Sequence, residues 1–212
     1  GLGDVYKRQS TDRLFFNPLL ITSVMRTIYI NAGPMVHFGS GATSHEEPVH
    51  AAGMGIVVKG QSIEYIKSSE ELVAEWSLED DTSNNQHGEH AVFDLRGQSV
   101  VPGLIDGHTH LLWAGDRSRE VSWRREGKSY AEISALGGGI QHTVAQTRVA
   151  PDDVLVQLGY QRLREALRTG TTHMEAKSGY GLTTESELRL LELTERLNRI
   201  SQVPSIDSTW MG

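Results

Sequence analysis

The 212-residue sequence predicts an α/β fold in two parts: a small β-sandwich over residues 25–101, then the opening of a (β/α)8 TIM-type barrel over 102–212. Three observations predict it. Short runs of alternating apolar and polar residues, separated by glycine-centred turns, fill the first part, as half-buried strands require. Beyond Pro102 the rhythm changes to strand, helix, strand, helix, strand, which implies parallel pairing through right-handed crossovers. A complete barrel needs eight such units and roughly 250 residues, so the second part holds about the first three strands.

The elements follow in order. Residues 1–24 are set aside. Within the opening GLGDVYKRQ, DVYKRQ can be back-translated to the end sequence of a transposon used to prepare sequencing libraries, so residues 1–9 read as translated adapter. Residues 10–24 then read as translated upstream DNA and Met25 as the natural start; the same codons in the source genome would refute this. RTIYINA (26–32) alternates and reads as a strand. GIVVKGQSIEYIK (55–67) reads as two strands around a tight turn at Lys59-Gly60-Gln61. AVFDLRGQSVVPG (91–103) repeats that pattern, with its turn at Arg96-Gly97. The stretches 33–54 and 77–90, rich in Gly, Ser, Asn, Asp and His, read as loops.

After this point VPGLIDGHTH is a strand with its polar end last. SYAEISALG is a short helix ending at Gly137. PDDVLVQLGYQRLREALRTG is a strong helix, with Asp152 or Asp153 near its start and Gly170 past its end. TTHMEAKSGYG is a strand that runs into a glycine loop. TTESELRLLELTERLNRI opens on a capping-box pattern, Thr184 followed by Glu187, and continues as a second strong helix. PSIDSTWMG begins a third strand.

Composition narrows the chemistry. The formal charge is −7, which does not favour a nucleic-acid partner. Cysteine is absent, so disulfides and thiolate chemistry are excluded and a metal must be held by nitrogen and oxygen. No apolar run reaches the ~18 residues of a membrane helix. LFFNPLLITSVM is too short, is interrupted by Asn17 and Pro18, and lacks a signal-peptide cleavage pattern. A soluble, cytoplasmic enzyme or binding domain is expected.

The chemistry-bearing stretch is VPGLIDGHTHLLWAGDR, 101–117. Side chains two apart on a strand share a face, so His108 and His110 can reach one ion. The C-terminal end of a barrel strand is also where active sites are built. H-x-H alone is weak, because paired histidines also close strands harmlessly. The flanks add to it: a strand leading into V-P-G-L-I-D-G-H-T-H resembles the amidohydrolase superfamily. HTHLLWAGDRSRE, GKSYAEISALGGGI and EAKSGYGL, three segments in order, narrow the resemblance to the imidazolonepropionase family, from about residue 25 to 212.

That resemblance implies hydrolysis of the ring amide of 4-imidazolone-5-propanoate to N-formimidoyl-L-glutamate, a step of histidine degradation. It implies one divalent or trivalent metal ion, zinc or iron, with His108 and His110 as two ligands. It implies substrate contacts at Arg117, Tyr130 and Tyr180, the Arg117 fork suiting a carboxylate. A homodimer is implied for the full-length protein. The family's remaining ligands, a histidine and an aspartate, and its catalytic glutamate and further histidine fall beyond residue 212, so no catalytic acid or base is assigned. On this reading the chain is an N-terminal part of such an enzyme, expected to be insoluble or molten, and inactive, alone. The rival readings are another cyclic-amide hydrolase or deaminase of the superfamily, or a non-catalytic binding protein on the same scaffold.

Plainer readings stand beside these. Arg117 could pair with Asp116 or Glu120 on the surface, and the two tyrosines could be packing residues. Gly137-Gly138-Gly139 reads as a helix end and turn. Lys177 reads as a partner of Glu175 on the same strand face. His87 and His90 read as solvated loop histidines, His142 and His173 as structural; His37, His45 and His50 carry no signal.

Overall fold

The computed structural model describes residues 26–37, 49–78, 86, 87 and 90–211. The expectations for residues 1–25 and for His45 lie outside these. The chain divides between Pro102 and Gly103 into two compact units.

The first unit contains β1 (Arg26–Ile30), β2 (Met35–His37), β3 (Val49–Ala51), β4 (Met54–Lys59), β5 (Ser62–Ser68), α1 (Ser69–Glu75), β6 (Gln86–His87) and β7 (His90–Asp94). Five strands form one sheet in the order β5-β4-β1-β7-β6, while β2 and β3 make a separate pair. β1 lies antiparallel to β4 and parallel to β7. The alternation seen in the sequence sends Ile28, Ile30, Val57 and Val92 into a core with Leu72 of α1. The β4–β5 hairpin turns at Gly60, whose φ of 61° suits glycine.

Two expectations change here. The arm after Arg96-Gly97 makes an isolated bridge, Val100 to Met35, in place of a second strand. The stretches read as loops supply β2, β3 and β6, two- and three-residue strands that main-chain pairing makes and side-chain alternation cannot announce.

The second unit contains β8 (Leu104–Thr109), α2 (Arg119–Arg125), α3 (Tyr130–Ala135), α4 (Gly139–Val149), α5 (Asp152–Arg168), β9 (Thr171–Lys177), α6 (Thr184–Asn198) and β10 (Ser205–Thr209). Its strands form a parallel sheet in the order β10-β9-β8. α5 places Leu155, Gly159 and Leu163 on one stripe, and α6 places Leu190, Leu193 and Leu197 on another. Both stripes join Met174, Ala176 and Ile206 of the sheet in one core.

The odd-numbered residues of β9 and β10 carry polar groups instead. There His173 bridges Ser205 Oγ at 2.7 Å and Asp207 at 3.2 Å, as a structural histidine should. Lys177 Nζ donates to Glu175 at 2.6 Å, and Thr209 Oγ1 donates to the same carboxylate at 2.6 Å. The expected Lys177–Glu175 pair is therefore present.

α5 and α6 come close at Gly159. A Cβ there would lie 2.5 Å from Leu197 Cδ1 and 2.7 Å from Leu112 Cδ2, and both leucines are buried. Gly159→Ala is expected to destabilise the unit by about 1–3 kcal/mol, because overpacking outweighs the ~1 kcal/mol gain in helix propensity. Urea melts of the variant check this; a gain in stability would show that the leucines yield freely.

Candidate active site

β8 ends in the sequence Asp106-Gly107-His108-Thr109, and His110 is the first residue past the strand. Pairing with β9 fixes the backbone here, with Thr109 opposite Ala176. Asp106 accepts a hydrogen bond from the His108 N–H at 3.1 Å. The two imidazoles come together at a centroid separation of 5.7 Å, with planes 77° apart.

The loop after β9 closes on His110. Tyr180 packs against its ring at 5.2 Å. Gly179, at φ 126°, passes so near that a Cβ would sit 3.2 Å from His110 Cε1. Left-handed backbone and close approach both require glycine here.

His110 Nδ1 is buried and has no hydrogen-bond partner. Leaving such an atom unsatisfied costs about 1–3 kcal/mol. Two imidazoles, one with an orphaned buried nitrogen, fit a metal such as zinc or iron. They do not complete a shell: among the described residues no group of three or more His, Asp or Glu converges. Catalytic zinc usually takes three protein ligands.

Arg117 lies in the loop before α2. Its Nε and one Nη donate to the two oxygens of Glu120, at 2.6 and 2.7 Å. The surface-pair reading thus finds its partner in Glu120. Asp116 instead accepts from Ser118, through both the N–H and the hydroxyl. The Arg117 side chain remains 34% exposed, so its second terminal nitrogen is available to a ligand. Tyr130 opens α3 and is 62% exposed. Of the three expected substrate contacts, Tyr180 is the one that touches His110.

Glu120 was not legible as a site residue. It is 5% exposed, and it accepts from the Gly139 N–H at 2.7 Å as well as from Arg117. Gly137 ends the α3 turn at φ 81°, and Gly138 caps α4, as the turn reading of the glycine run expects. Arg117, Glu120, Gly138 and His142 line a cavity of about 310 Å³.

The hydrogen bonds from Arg117 hold the Glu120 carboxyl down at about 2; burial opposes this and Gly139 adds to it. A carboxyl with a lowered folded pKa stabilises fully above its unfolded value and loses that contribution as pH falls through the folded one. The stability difference between the protein and Glu120→Gln should be constant above about pH 5 and shrink between 4.5 and about 2. Urea melts at about pH 6 and pH 3 test it; an unchanged difference would remove the pair from the account.

Other histidines are placed differently from expectation. His87 and His90 face each other as a strand pair of β6 and β7 rather than standing in a loop. His90 packs edge-on against Trp76 at 5.2 Å.

No protein-family model matches the chain. Curated proteins do. It is 44% identical over 121 residues to the probable imidazolonepropionase of Dictyostelium discoideum, covering 57% of this chain and 28% of that protein. It is 49% identical over 104 residues to the imidazolonepropionase of Aeromonas hydrophila, covering 49% and 25%. With the imidazolonepropionase of Anaeromyxobacter dehalogenans the identity is 38% over 147 residues, covering 69% and 33%. The matches thus span a third or less of these relatives' length.

Two solved structures share its fold at a TM-score of 0.50. One is a prolidase complexed with N-methylphosphonate-L-proline, 15% identical, covering 89% of this chain and 32% of that one. The other is an uncharacterized metal-dependent hydrolase from Pyrococcus furiosus, 11% identical, covering 87% and 50%.

Proposed function

From its similarity to the imidazolonepropionases over about half its length, we propose that the whole protein carrying this chain hydrolyses the ring amide of 4-imidazolone-5-propanoate to N-formimidoyl-L-glutamate. The observation that carries the reading is the site at the end of β8. There a histidine pair with an orphaned buried nitrogen meets the loop that bears Tyr180. On this reading the second unit is the opening of a (β/α)8 barrel, and the first unit is part of a β-sandwich. The whole protein is then a cytoplasmic homodimer.

His108 and His110 would hold one zinc or iron ion. When bound, such an ion supplies an activated water and polarises a carbonyl. The chain's own residues do the rest of what can be assigned. Arg117 binds the propanoate carboxylate through the nitrogen that Glu120 leaves free, and Glu120 keeps the guanidinium plane oriented. Tyr130 and Tyr180 offer hydroxyls beside that carboxylate and the ring. The His110–Tyr180 packing excludes water from one side of the imidazole.

The test is turnover. Full-length protein, loaded with zinc or iron and shown to be folded, should consume 4-imidazolone-5-propanoate, and Arg117→Met should raise KM by about a hundredfold. A folded, metal-loaded protein that leaves the substrate intact rejects the reading.

A further inference from the structure

Glu187 sits in the first turn of α6, only 1% exposed, and no cation pairs with it among the described residues. The sequence suggests that it caps its own helix. Instead Thr183 does so, its hydroxyl accepting from the Ser186 N–H at 3.3 Å. The Glu187 carboxylate is turned away onto the loop that follows β9. One oxygen accepts from the Gly179 N–H at 2.6 Å. The other accepts from the Gly181 and Leu182 N–H groups, both at 2.7 Å. The Ser178 side chain lies close to the same carboxylate. The Ser178 hydroxyl accepts from the Met211 N–H at 3.0 Å, and Ser178 N–H donates to Thr209 O at 3.0 Å.

One buried carboxylate therefore gathers the loop after β9 and, through Ser178, the segment after β10. The seat is tight. A Cβ on Gly181 would lie 2.7 Å from the Glu187 nitrogen. The residues so held are Gly179, which lies against His110, and Tyr180, which packs on its ring. Loops at strand ends are otherwise the most mobile parts of such folds. A buried charge satisfied by N–H groups is worth most where the loop must keep one shape.

We propose that Glu187 is a positioning residue: by fixing residues 178–182 it sets the wall of the His110 imidazole, and so the metal affinity and substrate engagement of this site. The activity arm of the test rests on the hydrolase reading above; the other arms do not.

Glu187→Gln is the discriminating variant. Its amide oxygen can still accept from Gly181 and Leu182, but its NH2 group then faces the Gly179 N–H, donor against donor. In the full-length protein we expect three effects. Amide exchange in peptides covering 178–183 rises about tenfold or more. Zinc affinity, read by competition with a chelator, weakens about tenfold to a hundredfold, the usual result of disturbing the supports of a metal ligand. KM for the imidazolone rises more than kcat falls. Glu187→Ala should go further in each, and Ser178→Ala less far. Should Glu187→Ala fail to fold, Glu187→Gln and Ser178→Ala still decide the matter.

Wild-type exchange, zinc affinity and KM in Glu187→Gln, measured well below its melting temperature, would reduce Glu187 to a stabilising residue and overturn the proposal. If the unsubstituted protein turns nothing over, the proposed function falls, while exchange and zinc affinity still decide the role of Glu187.

Discussion

Under the proposed function, alanine at His110 is expected to lower hydrolysis in the full-length protein by about a thousandfold or more, and bound metal with it. The argument starts from backbone. β8 ends at Thr109, so His108 and His110 flank the last paired residue, and their rings meet at 5.7 Å. Of the two, His110 is walled on its ring by Tyr180 and Gly179, and its Nδ1 is buried with no hydrogen-bond partner. Removing that ring deletes a proposed metal ligand and empties the space beside Tyr180. His173→Ala is the matched control. His173 already uses both ring nitrogens on Ser205 and Asp207, so its loss should cost stability and leave metal content unchanged. Metal analysis and initial rates on both variants make the comparison. A His110→Ala protein with full metal and near-normal rate would remove the histidine pair from the site.

The parts legible in the sequence are those whose causes are local. The β4–β5 hairpin was readable because alternation and Gly60 act within a dozen residues. α5 was readable because its apolar stripe and the Gly170 stop, at φ 101°, lie on one stretch. The histidine pair belongs to the same class, since His108 near the end of β8 and His110 just past it are two positions apart. α4 was missed because its buried side is partly polar: Thr143 and Thr147 are covered, and Thr147 Oγ1 accepts from the Ala114 N–H at 3.0 Å. α2 was missed for a similar reason, with a carboxylate, Glu120, as its buried residue. α1 carried a readable signal, the Ser68–Glu71 capping box, but seven residues show too little periodicity to be noticed.

The capping box read at Thr184 and Glu187 shows the limit from the other side. The pattern was present one residue from the true cap, Thr183, and the glutamate had a different task. Nothing in a local pattern tells a carboxylate that caps from one that reaches back to Gly179 and Gly181. Glu120 is the same case, its Gly139 partner lying 19 positions away. Supports of a site are set by which loops the fold brings together, so they appear only once the fold is built.

Arg162 supplies the largest expected loss of stability by the same logic. It projects from α5 into the turn that follows His110, where one Nη donates to Leu111 O at 2.7 Å and the other to Trp113 O at 3.0 Å. Its guanidinium carbon stacks 3.8 Å from the centre of the Trp113 ring. Burial lowers its pKa to about 10, which leaves it charged at neutral pH, and no carboxylate pairs with it among the described residues. Its worth is therefore that of a fork holding two carbonyls, set against the cost of burying an unpaired cation.

Arg162→Met keeps the length and the apolar stem but strands both carbonyls and forfeits the ring contact. Two hydrogen bonds from a charged donor are worth about 1.5–3 kcal/mol each and the stacking about 1–2, while relief of the buried charge returns part. We expect a net loss of about 2–4 kcal/mol. Arg162→Lys should recover little, because one ammonium cannot span both oxygens in the fork geometry. Denaturant midpoints for the two variants decide it, and a methionine variant as stable as the parent would mean that water takes over both carbonyls. Since Leu111 follows His110 directly, hydrogen exchange on the methionine variant should also be faster across 110–114.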